Sequence, residues 1–110
     1  DAAARGVADG QLVRVFNDIG ATLLPARVTD RIAPGVVSIN EGAWFAPGAD
    51  GVDTQGSANA LTTDRSAPCG ATTYNTNQVQ IEAASPRSGY RPSALLTFGR
   101  MIDVMSCVRI

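Results

Sequence analysis

Apolar and polar residues alternate in short runs along the chain, and turn-forming residues bound each run. Residues 12–16, L-V-R-V-F, alternate well enough to predict a strand with Val15 and either Leu12 or Val13 pointing inward. The next four residues, N-D-I-G, predict a tight connection, since Asn, Asp and Gly all tolerate positive φ. A second strand is predicted over residues 21–28.

Further along, Pro34-Gly35 marks a turn, and a short buried strand is predicted over residues 36–39. Strict alternation returns at residues 79–82, V-Q-I-E, which predict a closing strand. At the start, D-A-A-A-R-G over residues 1–6 combines a carboxylate cap, helix formers and a glycine stop, and predicts a single helical turn. Short strands at close spacing, without a long amphipathic helix, indicate an all-β barrel.

Residues 40–59 are the most prominent stretch without strand or helix periodicity. They hold the single Trp of the chain beside a Phe, several glycines and a row of small polar side chains. Long loops in compact domains are usually functional. We therefore interpret this stretch as a ligand-facing loop presented by a small β domain. The irregular, polar residues 61–68 are expected to lie near the same ligand.

The pattern changes near the C-terminus, where Pro86, Gly89 and Pro92 interrupt it. Residues 93–110 are apolar without clean periodicity. Two interpretations stay open for them. One is a helix over residues 94–102 followed by a strand, and the other is an edge segment that covers the barrel.

Composition limits the chemistry that the chain can perform. At 110 residues, with 45% apolar and 17% charged residues, it is one ordinary globular domain or part of one, and its net charge of −1 gives no reason to expect a nucleic-acid partner. Histidine is absent, which excludes His-dependent nucleophiles, general bases and metal sites within these residues. Cys69 and Cys107 form no zinc or redox motif, and either one disulfide or two packed thiols is expected.

The candidate chemistry lies in neutral hydrogen-bonding side chains of the loops. They are Asn40, Ser57, Asn59, Thr62, Thr63, Tyr74, Asn75, Thr76, Asn77 and Gln78. Side-chain amides both donate and accept, so such a cluster suits the recognition of a heterocycle edge or a sugar. The competing interpretation is local capping of the backbone, which Asn and Thr often perform in turns.

Five sequence blocks occur in an order that resembles one known domain. The blocks are V-R-V-F-N-D-I-G-A at residues 13–21, V-T-D-R-I-A-P-G-V-V at 28–37, E-G-A-W-F-A-P at 41–47, G-S-A-N-A-L-T at 56–62 and T-N-Q-V-Q-I-E at 76–82. Together they resemble the C-terminal molybdopterin guanine dinucleotide-binding domain of the dimethyl sulfoxide reductase family. The similarity is closest to the catalytic subunits of anaerobic dimethyl sulfoxide reductases.

The resemblance implies a mainly β fold, namely a double-psi β-barrel of the aspartate-decarboxylase-like type, incomplete at its N-terminus and carrying short helical turns. It implies that residues 1–84 bind bis(molybdopterin guanine dinucleotide) with molybdenum, within a larger oxidoreductase that transfers oxygen atoms. The metal ligand would come from another domain, so we expect no catalytic and no metal-binding residue here, and no activity of the chain alone. Residues 85–110 match nothing in the family and form an unassigned C-terminal extension.

The same resemblance implies which residues contact the cofactor. They are Trp44, Asn59, Thr62, Asp64, Asn75, Thr76 and Asn77. Asn59 matches a position that contacts the pterin dinucleotide, and residues 75–77 match a polar cluster that faces the pterin. Asp64 could accept hydrogen bonds from guanine or cap a turn. Trp44 could line the funnel to the active site or pack beneath its own loop.

For the parent enzyme, the resemblance implies two kinds of partner: the remaining domains of the catalytic subunit and an iron–sulfur electron-transfer subunit. It also implies anaerobic respiration and a location in the periplasm, or at the membrane through partner subunits. No targeting signal or membrane-spanning run is visible in these residues. The alternative function is an independent double-psi barrel that binds a small ligand, or oligomerises through the loop of Trp44, without redox chemistry.

Overall fold

The fold is mainly β, as the alternation predicts. The structure, a computed structural model, describes residues 2–71, 73 and 76–85 together with the backbone of residues 105–109. The strands within these residues are β1 Leu12–Phe16, β2 Ala21–Pro25, β3 Val36–Asn40, β4 Gln80–Ala83 and β5 Met105–Arg109. Single-turn 3₁₀ helices lie at Ala3–Arg5 and Ala58–Ala60. Among the described residues, no helix has the length and apolar character needed to cross a bilayer.

β1 is the central strand of an antiparallel sheet ordered β2-β1-β4, and its predicted bounds are confirmed. Val13 lies opposite Leu24 of β2 and Ala83 of β4, while Val15 lies opposite Ile81 of β4. Alternate side chains of a strand point to opposite faces. Val13 and Val15 therefore share one face, and both are buried.

A second sheet pairs β3 with β5 in antiparallel register, with Ser38 opposite Cys107. The C-terminal segment therefore contributes a strand, whereas the helix predicted over residues 94–102 lies outside the described residues. β3 is less buried than predicted, because Ile39 is buried and the other positions are half-buried or exposed. The described strands form two sheets, and closure into a double-psi barrel stays a prediction.

Two hydrophobic clusters cover the two faces of the β2-β1-β4 sheet. The larger cluster consists of Val13, Val15, Leu24, Ile39, Ala58, Ala60, Leu61 and Val79. The smaller cluster consists of Ala21, Leu23 and Val52, with Leu12, Phe16 and Ala84 packed against it. Because Ala58 belongs to the larger cluster and Val52 to the smaller, the long loop is attached to the sheet on both faces.

The bounds of three strands differ from the prediction: β3 runs to Asn40 rather than to residue 39, β4 is Gln80–Ala83 rather than residues 79–82, and β2 is shorter. β2 ends at Pro25 rather than at residue 28, since the paired chain turns away at Gly10, whose φ is 77°. Val28 instead donates its N–H to the Asp9 carboxylate at 2.8 Å. The first helical turn has Ala2 at its N-cap and Gly6, with a φ of 65°, at its C-cap, which is the predicted glycine stop, whereas Asp1, the predicted carboxylate cap, lies outside the described residues.

The connection between β1 and β2 is tight, as predicted, but for a different reason. Asn17 accepts hydrogen bonds at Oδ1 from the N–H groups of Ile19 and Gly20, at 3.0 and 3.2 Å. No described non-glycine residue has positive φ, and Gly20 is not among the glycines that do. A Cβ at Gly20 would lie 2.6 Å from the Ala60 carbonyl oxygen, so close backbone approach selects glycine here.

Candidate functional site

The long loop contains a small hairpin over residues 46–54. The Ala46 carbonyl accepts hydrogen bonds from the Thr54 N–H at 3.0 Å and from the Thr54 hydroxyl at 2.9 Å. Gly48 donates its N–H to the Val52 carbonyl at 2.9 Å. These bonds give the loop a defined shape although it contains no regular strand.

The hairpin docks on the edge of the sheet through Asp53. Leu23 donates its N–H to the Asp53 carbonyl, and Asp53 donates its N–H to the Ala21 carbonyl, both at 2.9 Å. These two bonds make a short parallel bridge between Asp53 and Thr22. β2 is an edge strand of the sheet, so the hairpin extends the sheet and covers that edge.

The Asp53 carboxylate is fully buried and binds three neutral donors. Oδ2 accepts hydrogen bonds from the Thr22 hydroxyl at 2.6 Å and the Ser57 N–H at 2.7 Å, while Oδ1 accepts one from the Ala46 N–H at 2.8 Å. A buried carboxylate is tolerated only when its oxygens are hydrogen-bonded in this way. Asp53 therefore joins β2, the chain that follows Trp44, and the chain that precedes Asn59.

A polar pocket of about 210 Å³ opens beside these segments. Its walls are two short stretches of chain, residues 41–43 and residues 57–59. Ser57 is 1% exposed, and its hydroxyl has no hydrogen-bond partner among the described residues. Buried polar atoms are normally hydrogen-bonded, so an unpartnered hydroxyl in the lining of a polar pocket marks a place where a polar ligand atom fits.

A larger cavity of about 470 Å³ lies elsewhere, next to β1, β2 and β3. Its lining is mainly apolar by area and includes Val13, Leu24 and Ile39 of the larger cluster, but the charged residues Arg5, Arg27 and Asp30 line it as well. The smaller pocket is mainly polar, and the unpartnered Ser57 hydroxyl makes it the candidate site for a polar ligand.

Asn59 is the predicted cofactor residue that lines the polar pocket. It is exposed and lies within the second 3₁₀ turn, whose other residues, Ala58 and Ala60, are buried in the larger cluster. Packing of the alanines thus fixes the backbone that presents the Asn59 amide. Thr62, at the end of this segment, donates its hydroxyl to the Asn59 carbonyl at 3.4 Å, in the capping role that the sequence left open.

The remaining predicted residues that the structure describes lie outside the pocket lining. Asn77 is buried, and its Oδ1 accepts a hydrogen bond from the Thr63 N–H at 3.3 Å. Thr76 is exposed and donates its hydroxyl to the Thr73 carbonyl at 3.2 Å, which is again a local cap. Asp64 is exposed. Asn75 lies outside the described residues.

Trp44 is exposed, at 80% of its full accessible area, and Phe45 beside it at 55%. The interpretation of Trp44 as a packing anchor beneath its own loop is therefore wrong for this chain. Trp44 directly follows Ala43 of the pocket wall and precedes Ala46, whose N–H is bound by Asp53. The backbone that follows the two aromatic residues is held by Asp53, while Trp44 and Phe45 themselves are exposed next to the pocket wall.

Asp53 was not singled out by the sequence pattern, whereas Ser57 was one of the neutral hydrogen-bonding candidates. Asp53 and Ser57 stand among glycines and small residues in G-V-D-T-Q-G-S, where either could serve as an ordinary turn residue. The one available signal is the spacing of four residues, at which an aspartate can bind a following backbone N–H. Cys69 is a free and exposed thiol, so neither a disulfide nor a packed thiol describes it.

Comparison with protein families gives the class of this domain. The chain matches the model of the molydopterin dinucleotide binding domain over residues 1–80, which is well over half of its length. It therefore belongs to this family, and the family inferred from the five sequence blocks is confirmed.

Individual relatives are sulfoxide and N-oxide reductases. Dimethyl sulfoxide reductase DmsA of Escherichia coli is 47% identical over 83 residues, which are 74% of this chain and 10% of that protein. DmsA of Haemophilus influenzae is 42% identical with the same coverage of both chains. The dimethyl sulfoxide/trimethylamine N-oxide reductase of Cereibacter sphaeroides is 47% identical over 58% of this chain and 8% of its own. The chain spans about a tenth of the length of these relatives.

Proposed function

We propose that this domain binds bis(molybdopterin guanine dinucleotide) within a molybdenum oxidoreductase of the dimethyl sulfoxide or N-oxide reductase type. The family match and the names of the relatives support this proposal. The bound cofactor supplies oxygen-atom transfer through its molybdenum, whereas the residues of this chain bind and orient it. The described residues include no group of three or more His, Cys, Asp or Glu that could hold a metal ion.

The observation that carries the proposal is the unpartnered Ser57 hydroxyl in the lining of the polar pocket. A hydroxyl both donates and accepts, and the amide of Asn59 does the same, so together they match the mixed edge of a pterin or a guanine. The pocket of about 210 Å³ has room for one ring system rather than for a whole dinucleotide. The residues present therefore fit one end of the cofactor.

Each side chain at the pocket has a distinct role in this proposal. Ser57 donates or accepts one hydrogen bond in a place from which water is largely excluded, because it is 1% exposed. Asn59 supplies a second, exposed pair of polar atoms at the rim. Trp44 stands beside the pocket as an exposed apolar surface that can cover bound cofactor or line its access path.

The proposal extends to the finer features that the family resemblance implies. The strands of this chain, with others of the parent polypeptide, make up a double-psi β-barrel over the cofactor. The other domains of the catalytic subunit supply the metal ligand, and an iron–sulfur subunit supplies electrons in the periplasm during anaerobic respiration. The three-stranded antiparallel sheet and the docked hairpin support a β domain of this kind.

The test is cofactor retention in the parent enzyme. Asn59→Ala removes an amide at the rim of the pocket, and we expect it to lower the molybdenum and guanine content of the purified enzyme. Loss of one hydrogen bond to a buried partner weakens binding by about 1–3 kcal/mol, or about 5- to 150-fold in affinity. Asn77→Ala is expected to act in the same direction through the Thr63 backbone that Asn77 holds.

Glu82→Gln on β4 is the matched control, since Glu82 is exposed and pairs with Arg14 away from the pocket. Molybdenum and guanine contents equal to those of the unmutated enzyme in Asn59→Ala would contradict the assignment of Asn59. An unmutated protein that folds without either component would instead favour the alternative, an independent barrel for a small ligand or for oligomerisation through the loop of Trp44.

A further inference from the structure

One buried side chain that does not itself line the polar pocket binds one of the pocket walls and the chain just beyond the other wall. Residues 41–43 form one wall, and Ala46, three positions after it, donates its N–H to Asp53 Oδ1 at 2.8 Å. Residues 57–59 form the other wall, and Ser57 donates its N–H to Asp53 Oδ2 at 2.7 Å. One carboxylate therefore links the second wall to the chain three residues beyond the first.

We propose that Asp53 is the positioning residue of the cofactor pocket. It acts through the N–H groups of Ala46 and Ser57 and holds the Ser57 hydroxyl where the bound dinucleotide meets it. This inference rests on the function proposed above. Asp53 contacts no ligand atom in this scheme, so its substitution affects cofactor retention by moving the walls rather than by removing a contact.

The geometry explains why a carboxylate is needed at this position. Three donors converge on Asp53, from Thr22, Ala46 and Ser57, and its two oxygens accept all of them. An Asn side chain offers one acceptor oxygen, and its amide group would face a backbone N–H in either orientation. With the amide at the Oδ1 position the Ala46 N–H loses its acceptor, and with the amide at the Oδ2 position the Ser57 N–H loses its acceptor.

The backbone of Asp53 is held independently of its side chain. Its N–H donates to the Ala21 carbonyl and its carbonyl accepts from the Leu23 N–H, both at 2.9 Å. These bonds do not involve the carboxylate and remain available in Asp53→Asn. The substitution therefore tests the side chain while the hairpin stays docked on β2.

The experiment compares variants of the full-length parent enzyme loaded with cofactor. The readouts are the rate at which molybdenum and guanine nucleotide are lost at 25 °C, well below melting, and the thermal midpoint of the protein. Val13→Ala is the destabilised control, because Val13 is buried in the larger cluster on β1 and does not line the polar pocket. If the two substitutions lower the thermal midpoint by similar amounts, we expect Asp53→Asn to release cofactor at least about tenfold faster than Val13→Ala.

A second variant keeps the inference testable if Asp53→Asn fails to fold. Thr22→Val is close to isosteric and removes one donor to Asp53 without touching either wall. We expect it to lose cofactor about threefold faster than Val13→Ala. If Asp53→Asn, or Thr22→Val where Asp53→Asn does not fold, loses cofactor at the same rate as Val13→Ala, the inference is overturned and the proposed function still stands. An unmutated enzyme without molybdenum and guanine would instead overturn the proposed function.

Discussion

The buried hydroxyl of Ser57 affects both the stability of the domain and its affinity for a ligand. This hydroxyl is buried without a partner among the described residues, and an unpartnered buried hydroxyl destabilises the fold that contains it. If a cofactor atom is the missing partner, then the hydroxyl is unfavourable in the empty protein and favourable in the loaded one. One substitution should therefore change the two states in opposite directions.

For Ser57→Ala we expect the free energy of unfolding of the cofactor-free parent enzyme to stay the same or to rise by up to about 1–2 kcal/mol, and its thermal midpoint to follow. Cofactor affinity should fall by about 5- to 150-fold, because one hydrogen bond in a buried place is lost. Melting of the empty enzyme and the molybdenum and guanine content of the loaded enzyme measure the two effects. A less stable empty enzyme with full cofactor content would show that Ser57 is a structural residue.

The sequence predicted individual residues only where the residue type itself constrains the chemistry. Asn59 could be assigned from the block G-S-A-N-A-L-T, and it does line the pocket. Asp53 could not be assigned, because its importance comes from the meeting of three segments that lie far apart along the chain. Burial and convergence of donors are properties of the folded chain, and an aspartate in a glycine-rich loop reads as a turn residue until they are known.

At the scale of elements, the turn between β1 and β2 packs directly against the second 3₁₀ turn. The Asn17 side chain donates from Nδ2 to the Leu61 carbonyl at 2.8 Å, and the Cα of Gly20 faces the Ala60 carbonyl. This contact brings the start of β2 close to residues 58–60, next to the pocket wall. The absence of a side chain at Gly20 is what allows the two turns to approach.

Gly20→Ala should therefore destabilise the domain, since its Cβ would lie 2.6 Å from a backbone oxygen that cannot rotate away. Overpacking of this kind costs about 1–3 kcal/mol. Thermal melting of the cofactor-free parent enzyme measures the loss. Asp18→Ala is the control in the same turn, because Asp18 is exposed. Its free energy of unfolding should lie within about 0.5 kcal/mol of that of the unmutated protein. Equal midpoints for both variants would mean that the turns can separate freely.

Elements with strong local patterns were predicted well, and those defined by distant partners were not. β1 was predicted with its bounds, because both of its faces pack and its alternation is clear. β2 ends early because the chain that it pairs with turns at Gly10, which local sequence cannot reveal. The hairpin over residues 46–54 was read as irregular loop, since its bonds to β2 depend on where the sheet edge lies.

At the scale of the whole molecule, the described residues offer a ligand two cavities of different chemistry. The cavity of about 470 Å³ is larger but mainly apolar, and the pocket of about 210 Å³ is smaller but polar. Volume alone would favour the first. The unpartnered Ser57 hydroxyl favours the second, because a buried polar atom needs a polar partner, although Arg5 and Arg27 line the first.

Hydrogen exchange of the parent enzyme, with and without bound cofactor, distinguishes these two cavities. A ligand that binds the folded state suppresses the local opening of the segments it contacts. We expect the largest slowing of amide exchange in peptides covering residues 41–46 and 56–61. These peptides contain both pocket walls and the Ala46 and Ser57 N–H groups that bind Asp53, and bound cofactor should reduce their local opening. Exchange within β1 at short times should change little, since its amides are already paired on both sides. The largest slowing in residues 26–34, which line the apolar cavity, would place the cofactor there and remove the polar pocket from the binding site.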